Sequence, residues 1–287
     1  MKVTDRYDSR GEALVFICDF TPPRSLDEAA MEAAAKLQSD FICVAYNPGK
    51  RVRVDSAMFA AAVRRKSGKE MVFNLGTRDM NKLALQTHLL GAQLLGLDNV
   101  LVVQGDPFSE KERVQVRQVG DYKSTELMAA IVEMNAGKDY RGAALPTPTD
   151  ICIGASIDFG RGVQGEAVLT VRKASAGAHY FVTQPVYDLS EIDEFQAHYR
   201  KAAGEDLAQP VFYGVQILEK DGIIFSSVPQ RVRDELEKGR PGFEVALEQL
   251  QRLSARGIRS FYLVPPILRG GARNYEAANH LISSAQN

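Results

Sequence analysis

The sequence predicts a closed (β/α)8 barrel of the α/β class, and three observations carry that expectation. Eight short apolar, β-branched runs recur along the chain, with segments rich in helix formers between them. The runs end on polar residues, whereas they begin on bland ones such as Glu12, Asp40, Asp98 and Gly257. No linker, low-complexity tract or composition break divides the chain, so residues 1–287 are expected to form one domain.

In order, the expected strands are Leu14–Cys18, Phe41–Ala45, Met71–Leu75, Val100–Val103, Ile151–Ala155, His179–Thr183, Val211–Ile217 and Ile258–Val264. Helices are expected over Leu26–Gln38, Asp55–Lys66, Asp79–Leu95 and Ser124–Asn135, where Ser124 and Leu127 frame a cap and first turn. Four more follow, at Gly165–Gly177, Leu189–Ala202, Pro241–Arg256 and Asn274–Ser284. Parallel strands joined by crossover helices are the economical arrangement, with an open doubly wound sheet as the competitor. The longest irregular pieces, Phe108–Lys123 and Lys138–Thr149, have the length of functional loops.

A formal net charge of −1 gives no reason to expect nucleic acid or a membrane as partner. No apolar run approaches the ~18 residues of a membrane span, and the N-terminal stretch lacks the apolar core of a signal peptide. Cys18, Cys43 and Cys152 sit in expected strands without a CxxC pattern, which suits reduced, buried thiols in the cytoplasm.

In a barrel of this class the βα loops at the C-terminal ends of the strands carry the chemistry. Those ends hold Asp19, then Tyr46 and Asn47, then Asn74 and Thr77. Gln104 and Asp106 flank Gly105 in "NVLVVQGDPF", and Ser156 and Asp158 end the fifth strand. Thr183, Gln184 and Tyr187 follow the sixth and Gln216 ends the seventh, while Arg269 and Arg273 lie beyond the eighth. His88, His179, His198 and His280 avoid these loops, so no metal site is expected. No GxSxG, HExxH, P-loop or GxGxxG pattern occurs. The remaining set of carboxylates, amides and tyrosines suits a large polar heterocycle with one carboxylate for proton transfer.

Two readings stand beside each other for several residues. Asp19 in "VFICDFTPPR" is either a general acid with a raised pKa in an apolar mouth or the cap of a turn. Asp106 is either a site residue or an Asx-turn. Arg172 and Lys173 either complement a helix C-terminus or hold an anion.

Read together, the motifs resemble the methylenetetrahydrofolate reductase family. "DFTPPR" resembles its opening acid–aromatic–x–Pro–Pro segment, and "NLGTRDMN" its third-strand segment. "GLDNVLVVQGDP" is similar to its Arg-Gly-Asp-Pro strand, and "KASAGAHYFVTQPVYD" to its Ala-Gly-Ala…Thr-Gln strand. The resemblance extends in order over nearly the whole chain and implies a (β/α)8 barrel. It also implies reduction of methylenetetrahydrofolate to methyltetrahydrofolate through non-covalent FAD, with NAD(P)H or another electron carrier as co-substrate.

By that resemblance Asp19 is the acid that protonates the folate nitrogen, and Asp106 stabilises the iminium cation beside flavin and pterin. Gln184 is the folate anchor, with Gln216 and Tyr187 alongside as expected substrate contacts. Asn74, Gln104, Gly105, Asp106, Ser156, Glu166, Arg172 and Lys173 are the expected cofactor contacts. Some positions depart from the pattern. Asp19 stands for a glutamate, and its carboxyl retreats by about 1.5 Å. Gln104 replaces an arginine, Asn74 a histidine and Ala45 a threonine, and "GASIDFGRG" lacks the Tyr-Pro-Glu-x-His-Pro segment. These changes motivate two alternatives, a flavin-independent or altered-substrate one-carbon relative and a non-catalytic barrel subunit. A homo-oligomer is compatible with either.

Overall fold

A computed structural model describes residues 1–224 and 228–286. Apolar, β-branched runs with few side-chain donors favour the extended, doubly covered backbone of a parallel sheet. The chain runs α1 (Val3–Asp8), β1 (Val15–Phe20), α2 (Glu28–Ala35), β2 (Phe41–Val44), α3 (Ser56–Ser67), β3 (Glu70–Gly76), α4 (Lys82–Leu94) and β4 (Asn99–Val103). It continues through α5 (Glu110–Arg113), α6 (Ser124–Asn135), β5 (Cys152–Ile157), α7 (Val163–Ser175), β6 (Tyr180–Pro185), α8 (Ser190–Ala203) and β7 (Val211–Gln216). The last elements are α9 (Gln230–Glu237), α10 (Gly242–Ala255), β8 (Ser260–Val264) and α11 (Tyr275–Gln286).

The strands pair in sequence order, all parallel, and β8 returns to β1 with Val15 opposite Ser260 and Ile17 opposite Tyr262. The sheet is therefore a closed barrel, as expected. Alternation along each strand divides the core in two. Phe16, Cys18, Ile42, Phe73 and Val100 pack outward against the helices. Val15, Ile17, Phe41, Val72, Leu101, Tyr180 and Phe212 fill the barrel interior. The base is plugged by α1, whose Val3 is fully buried in that inner cluster with Tyr7 packed beside it. Asn99 fastens this plug: its Oδ1 accepts from Val3 N at 2.9 Å and its Nδ2 donates to Met1 O at 3.0 Å.

Three local expectations need correction. β1 runs on to Phe20, so Asp19 lies within the strand rather than in the loop after it. Helix α4 starts at Lys82 rather than Asp79, because Asn81 caps it and the Asp79 carboxylate is engaged elsewhere. Lys123, not Ser124, occupies the cap of α6, with Lys123 N donating to Glu126 Oε2 at 2.7 Å. The free cysteines sit at three depths. Cys18 is in the outer layer, Cys43 inside near the mouth, and Cys152 inside near the base, where Thr4 Oγ1 lies 3.9 Å away. Among the described residues no helix is long and apolar enough to cross a membrane.

Candidate active site

The same alternation that places Ile17, Val72 and Val182 inside the barrel sends the residues two positions later into its upper layer. Asp19, Asn74 and Gln184 occupy that layer, as do Ser156, Gln216 and Tyr262. Above it, a cavity of about 630 Å³ opens at the C-terminal ends of the strands. Its wall is formed mainly by the ends of β2 to β6, with Tyr262 from β8. The size is that of a pocket for a cofactor-sized ligand.

Seven of the expected site residues line this cavity: Asn74, Gln104, Gly105, Asp106, Ser156, Lys173 and Gln184. Asp106 and Gln184 are exposed at its rim. No hydrogen bond or ion pair engages either side chain among the described residues, which leaves both polar ends to a ligand. Asn74 Oδ1 accepts from Cys43 Sγ at 3.0 Å, which fixes the amide's orientation and leaves its NH2 group free to donate. Gly105 has φ +82°, a left-handed conformation that turns the backbone under Asp106. A Cβ there would come within 3.3 Å of the Arg78 side chain.

Arg78 organises this rim, although sequence reasoning did not single it out. Its guanidinium grips Asp79 with two bonds, Nε to Oδ1 at 2.6 Å and Nη2 to Oδ2 at 2.7 Å. The third arm, Nη1, donates to Asp106 O at 2.8 Å, and the guanidinium lies 4.1 Å from the centre of the Phe108 ring. Tyr46 Oη donates to Asp79 Oδ2 at 2.9 Å, while the Arg78 and Tyr46 hydrogen bonds hold the Asp79 carboxyl below the usual range despite burial. Burial, then the Asp79 charge, push the Tyr46 phenol up, so it stays a neutral donor. The sequence signal for Arg78 was its place in "NLGTRDMN", where the adjacent Asp79 supplies the carboxylate for the bidentate contact.

Lys173 lines the cavity and Glu166 does not; behind the wall the two form a buried ion pair, Nζ to Oε1 at 2.8 Å, with side chains 7% and 3% exposed. Lys173 also donates to Ser156 O. Arg172, one residue earlier on α7, is exposed and does not line the cavity. Tyr187 and Gln216 also lie outside the lining: Tyr187 Oη donates to Gln216 Oε1 at 3.2 Å, and both are buried.

Asp19 is buried with a side chain 12% exposed. Its Oδ1 accepts from Tyr262 Oη at 3.1 Å and its Oδ2 from Arg273 Nη2 at 3.2 Å. Burial raises its pKa, with Arg273 and then the Tyr262 hydrogen bond opposing. Asp19 itself is absent from the cavity lining, whereas Tyr262 is part of it. Tyr262 was legible only through strand parity, two residues before the strand end.

A family model described as methylenetetrahydrofolate reductase matches residues 3–265. Among solved structures, one is described as an uncharacterized protein from Clostridium thermocellum that binds two copies of 5-methyl-5,6,7,8-tetrahydrofolic acid. It superposes with a TM-score of 0.69 at 13% identity, covering 99% of this chain and 99% of that one. At that identity the likeness speaks for the fold alone.

Proposed function

Because the chain belongs to the methylenetetrahydrofolate reductase family, we propose that it interconverts 5,10-methylenetetrahydrofolate and 5-methyltetrahydrofolate, with FAD as resident cofactor and NAD(P)H or another carrier as co-substrate. The observation that carries the reading is the mouth cavity, where an unengaged carboxylate, Asp106, and an unengaged amide, Gln184, share one rim. The Clostridium thermocellum structure, described as binding 5-methyl-5,6,7,8-tetrahydrofolic acid, supports the choice of ligand class.

The residues present suit a flavin. Asn74 and Gln104 offer amides to a polar ring edge, and Lys173 supplies a positive charge in the wall. FAD would carry the hydride between the two substrates. The chain's own residues do the rest. Gln184 has both a donor and an acceptor to orient a pterin. The Asp106 carboxylate stabilises positive charge as the methylene bridge opens, and Asp19 is the proton reserve. The proposed setting is the cytoplasm, which suits three unpaired thiols.

One observation favours a second reading, direct hydride transfer without flavin. The three cations of the cavity wall, Arg78, Arg161 and Lys173, already hold the carboxylates of Asp79, Asp158 and Glu166. A pyrophosphate would have to rely chiefly on Arg161, whose side chain is 73% exposed and which holds Asp158 through Nε alone. The visible absorption spectrum of protein purified without added cofactor, followed by FAD titration, decides between the readings. A two-band yellow spectrum that bleaches with NAD(P)H and recovers with methylenetetrahydrofolate is expected. A colourless protein that takes up no FAD yet transfers hydride to folate would replace the first reading with the second. Loss of both activities would leave the binding-subunit alternative.

A further inference from the structure

We propose that Tyr262 is a catalytic residue, passing the proton between Asp19 and the substrate nitrogen, an inference that rests on the folate reading above. Its basis is a mismatch in reach. The buried acid of the site, Asp19, does not border the cavity, but the residue hydrogen-bonded to it at 3.1 Å does. Of the two, Tyr262 is the one that borders a ligand in the mouth.

Arg273 is the positioning residue of this pair. Its guanidinium is pinned by Thr21 Oγ1 at 3.2 Å and Pro265 O at 3.0 Å, and from there it holds Asp19 Oδ2 at 3.2 Å. That leaves Oδ1 aimed at the phenol. The second neighbour of the Tyr262 hydroxyl, Cys43, turns its thiol proton to Asn74 Oδ1 at 3.0 Å. Asp19 is therefore the acid through which the phenol recovers a proton.

The transfer balances without any further reagent. As the methylene bridge opens, the Tyr262 O–H bond breaks while an N–H bond forms on the substrate. In the same step the Asp19 carboxyl O–H bond breaks as the phenol O–H re-forms. Asp19 ends as a carboxylate beside Arg273, and the reverse reaction runs the same steps backwards. Burial, followed by the charge of Asp19, keeps the phenol protonated far above its ordinary range, so it acts as a neutral relay. The charged and titratable groups facing Asp19 are Arg273, Tyr262, Cys43, Tyr275 and its neighbour Cys18. Of these, Arg273 favours the carboxylate most strongly after burial is counted.

Tyr262→Phe keeps the ring and deletes the relay; Asp19→Asn deletes the proton reserve; the double variant tests their coupling. The readouts are 5-methyltetrahydrofolate affinity by titration calorimetry, turnover against pH, and the solvent deuterium isotope effect. Turnover should fall about 100-fold in each single variant, within the usual range for a lost general acid. The double variant should be no slower than either single one. Ligand affinity of Tyr262→Phe should stay within about threefold, and its pH profile should lose the limb due to Asp19. Near-normal turnover in Tyr262→Phe, or losses that multiply in the double variant, would overturn the relay while leaving the folate reading intact. A wild-type chain that neither binds nor turns over folate would bring down that reading, and the relay with it.

Discussion

Glu166→Ala tests whether the Lys173–Glu166 pair holds the cavity wall. Two of the three donors of the Lys173 ammonium are engaged, one by Glu166 Oε1 at 2.8 Å and one by Ser156 O. Removing the carboxylate leaves a cation whose side chain is 7% exposed with one carbonyl as partner. Breaking a buried pair costs about 3–5 kcal/mol. Lys173 can recover some hydration from the cavity, which puts the expected loss near 3 kcal/mol. At about 2 °C per kcal/mol for a chain of this length, the melting temperature should drop by roughly 6 °C. Replacing both partners, Glu166→Leu with Lys173→Met, removes the unpaired charge and should recover most of that loss. Urea unfolding of the wild type, Glu166→Leu, Lys173→Met and the double variant completes the cycle. A single-variant loss below about 1 kcal/mol, or a double variant as unstable as the sum of its parts, would refute the reasoning.

Other expectations can be checked on the same preparations. Asp106→Ala should abolish folate turnover while moving stability by no more than about 0.5 kcal/mol, since the side chain is exposed and unengaged; normal turnover would remove its assigned role. Gly76→Ala would put a Cβ 2.5 Å from the Tyr46 ring. It should cost about 1–3 kcal/mol and loosen the Arg78 rim, so an unchanged unfolding midpoint and ligand affinity would contradict the packing. Burial raises the Asp19 pKa, so the folded state binds that proton more tightly than the unfolded chain. Its stabilising contribution is complete below the ordinary carboxylate range and is lost as pH rises through the raised value. Stability of the wild type relative to Asp19→Asn, measured from acid to neutral pH, should therefore fall across that window, and a rise would reverse the sign.

The barrel was legible because its strands are apolar runs in which every second residue must face the interior, a pattern that tolerates errors of two residues at each end. Those errors still mattered. Ending β1 at Cys18 put Asp19 in a loop, whereas β1 extends to Phe20 and the acid stands inside the mouth with Tyr262 in front of it. The plug α1 escaped notice because "VTDRYD" has no helical period; it is held by Asn99, about a hundred residues away in the chain. Helix α9 was also unforeseen, being a strongly polar segment anchored by Val232 and Leu236. Among site residues, those at strand ends converge on the cavity because the barrel brings the ends together. Tyr187 and Gln216 are spent on each other, a pairing between two strand ends that no local pattern encodes. Arg78 was hidden in part for the same reason: besides its neighbour Asp79, it contacts Phe108 and the Asp106 carbonyl on another loop.

The three cysteines give the molecule a built-in clock for its own opening. A thiol reagent cannot react with Cys18, Cys43 or Cys152 while they are buried, so each labelling rate reports a separate excursion from the native state. Cys152 beside Thr4 becomes reactive when the plug frays, Cys43 when the mouth breathes, and Cys18 only when helices lift off the sheet. Mass-resolved alkylation in the presence and absence of folate would thus rank the base, the rim and the helical shell by how readily each lets go. It would also show which of them a ligand in the cavity restrains.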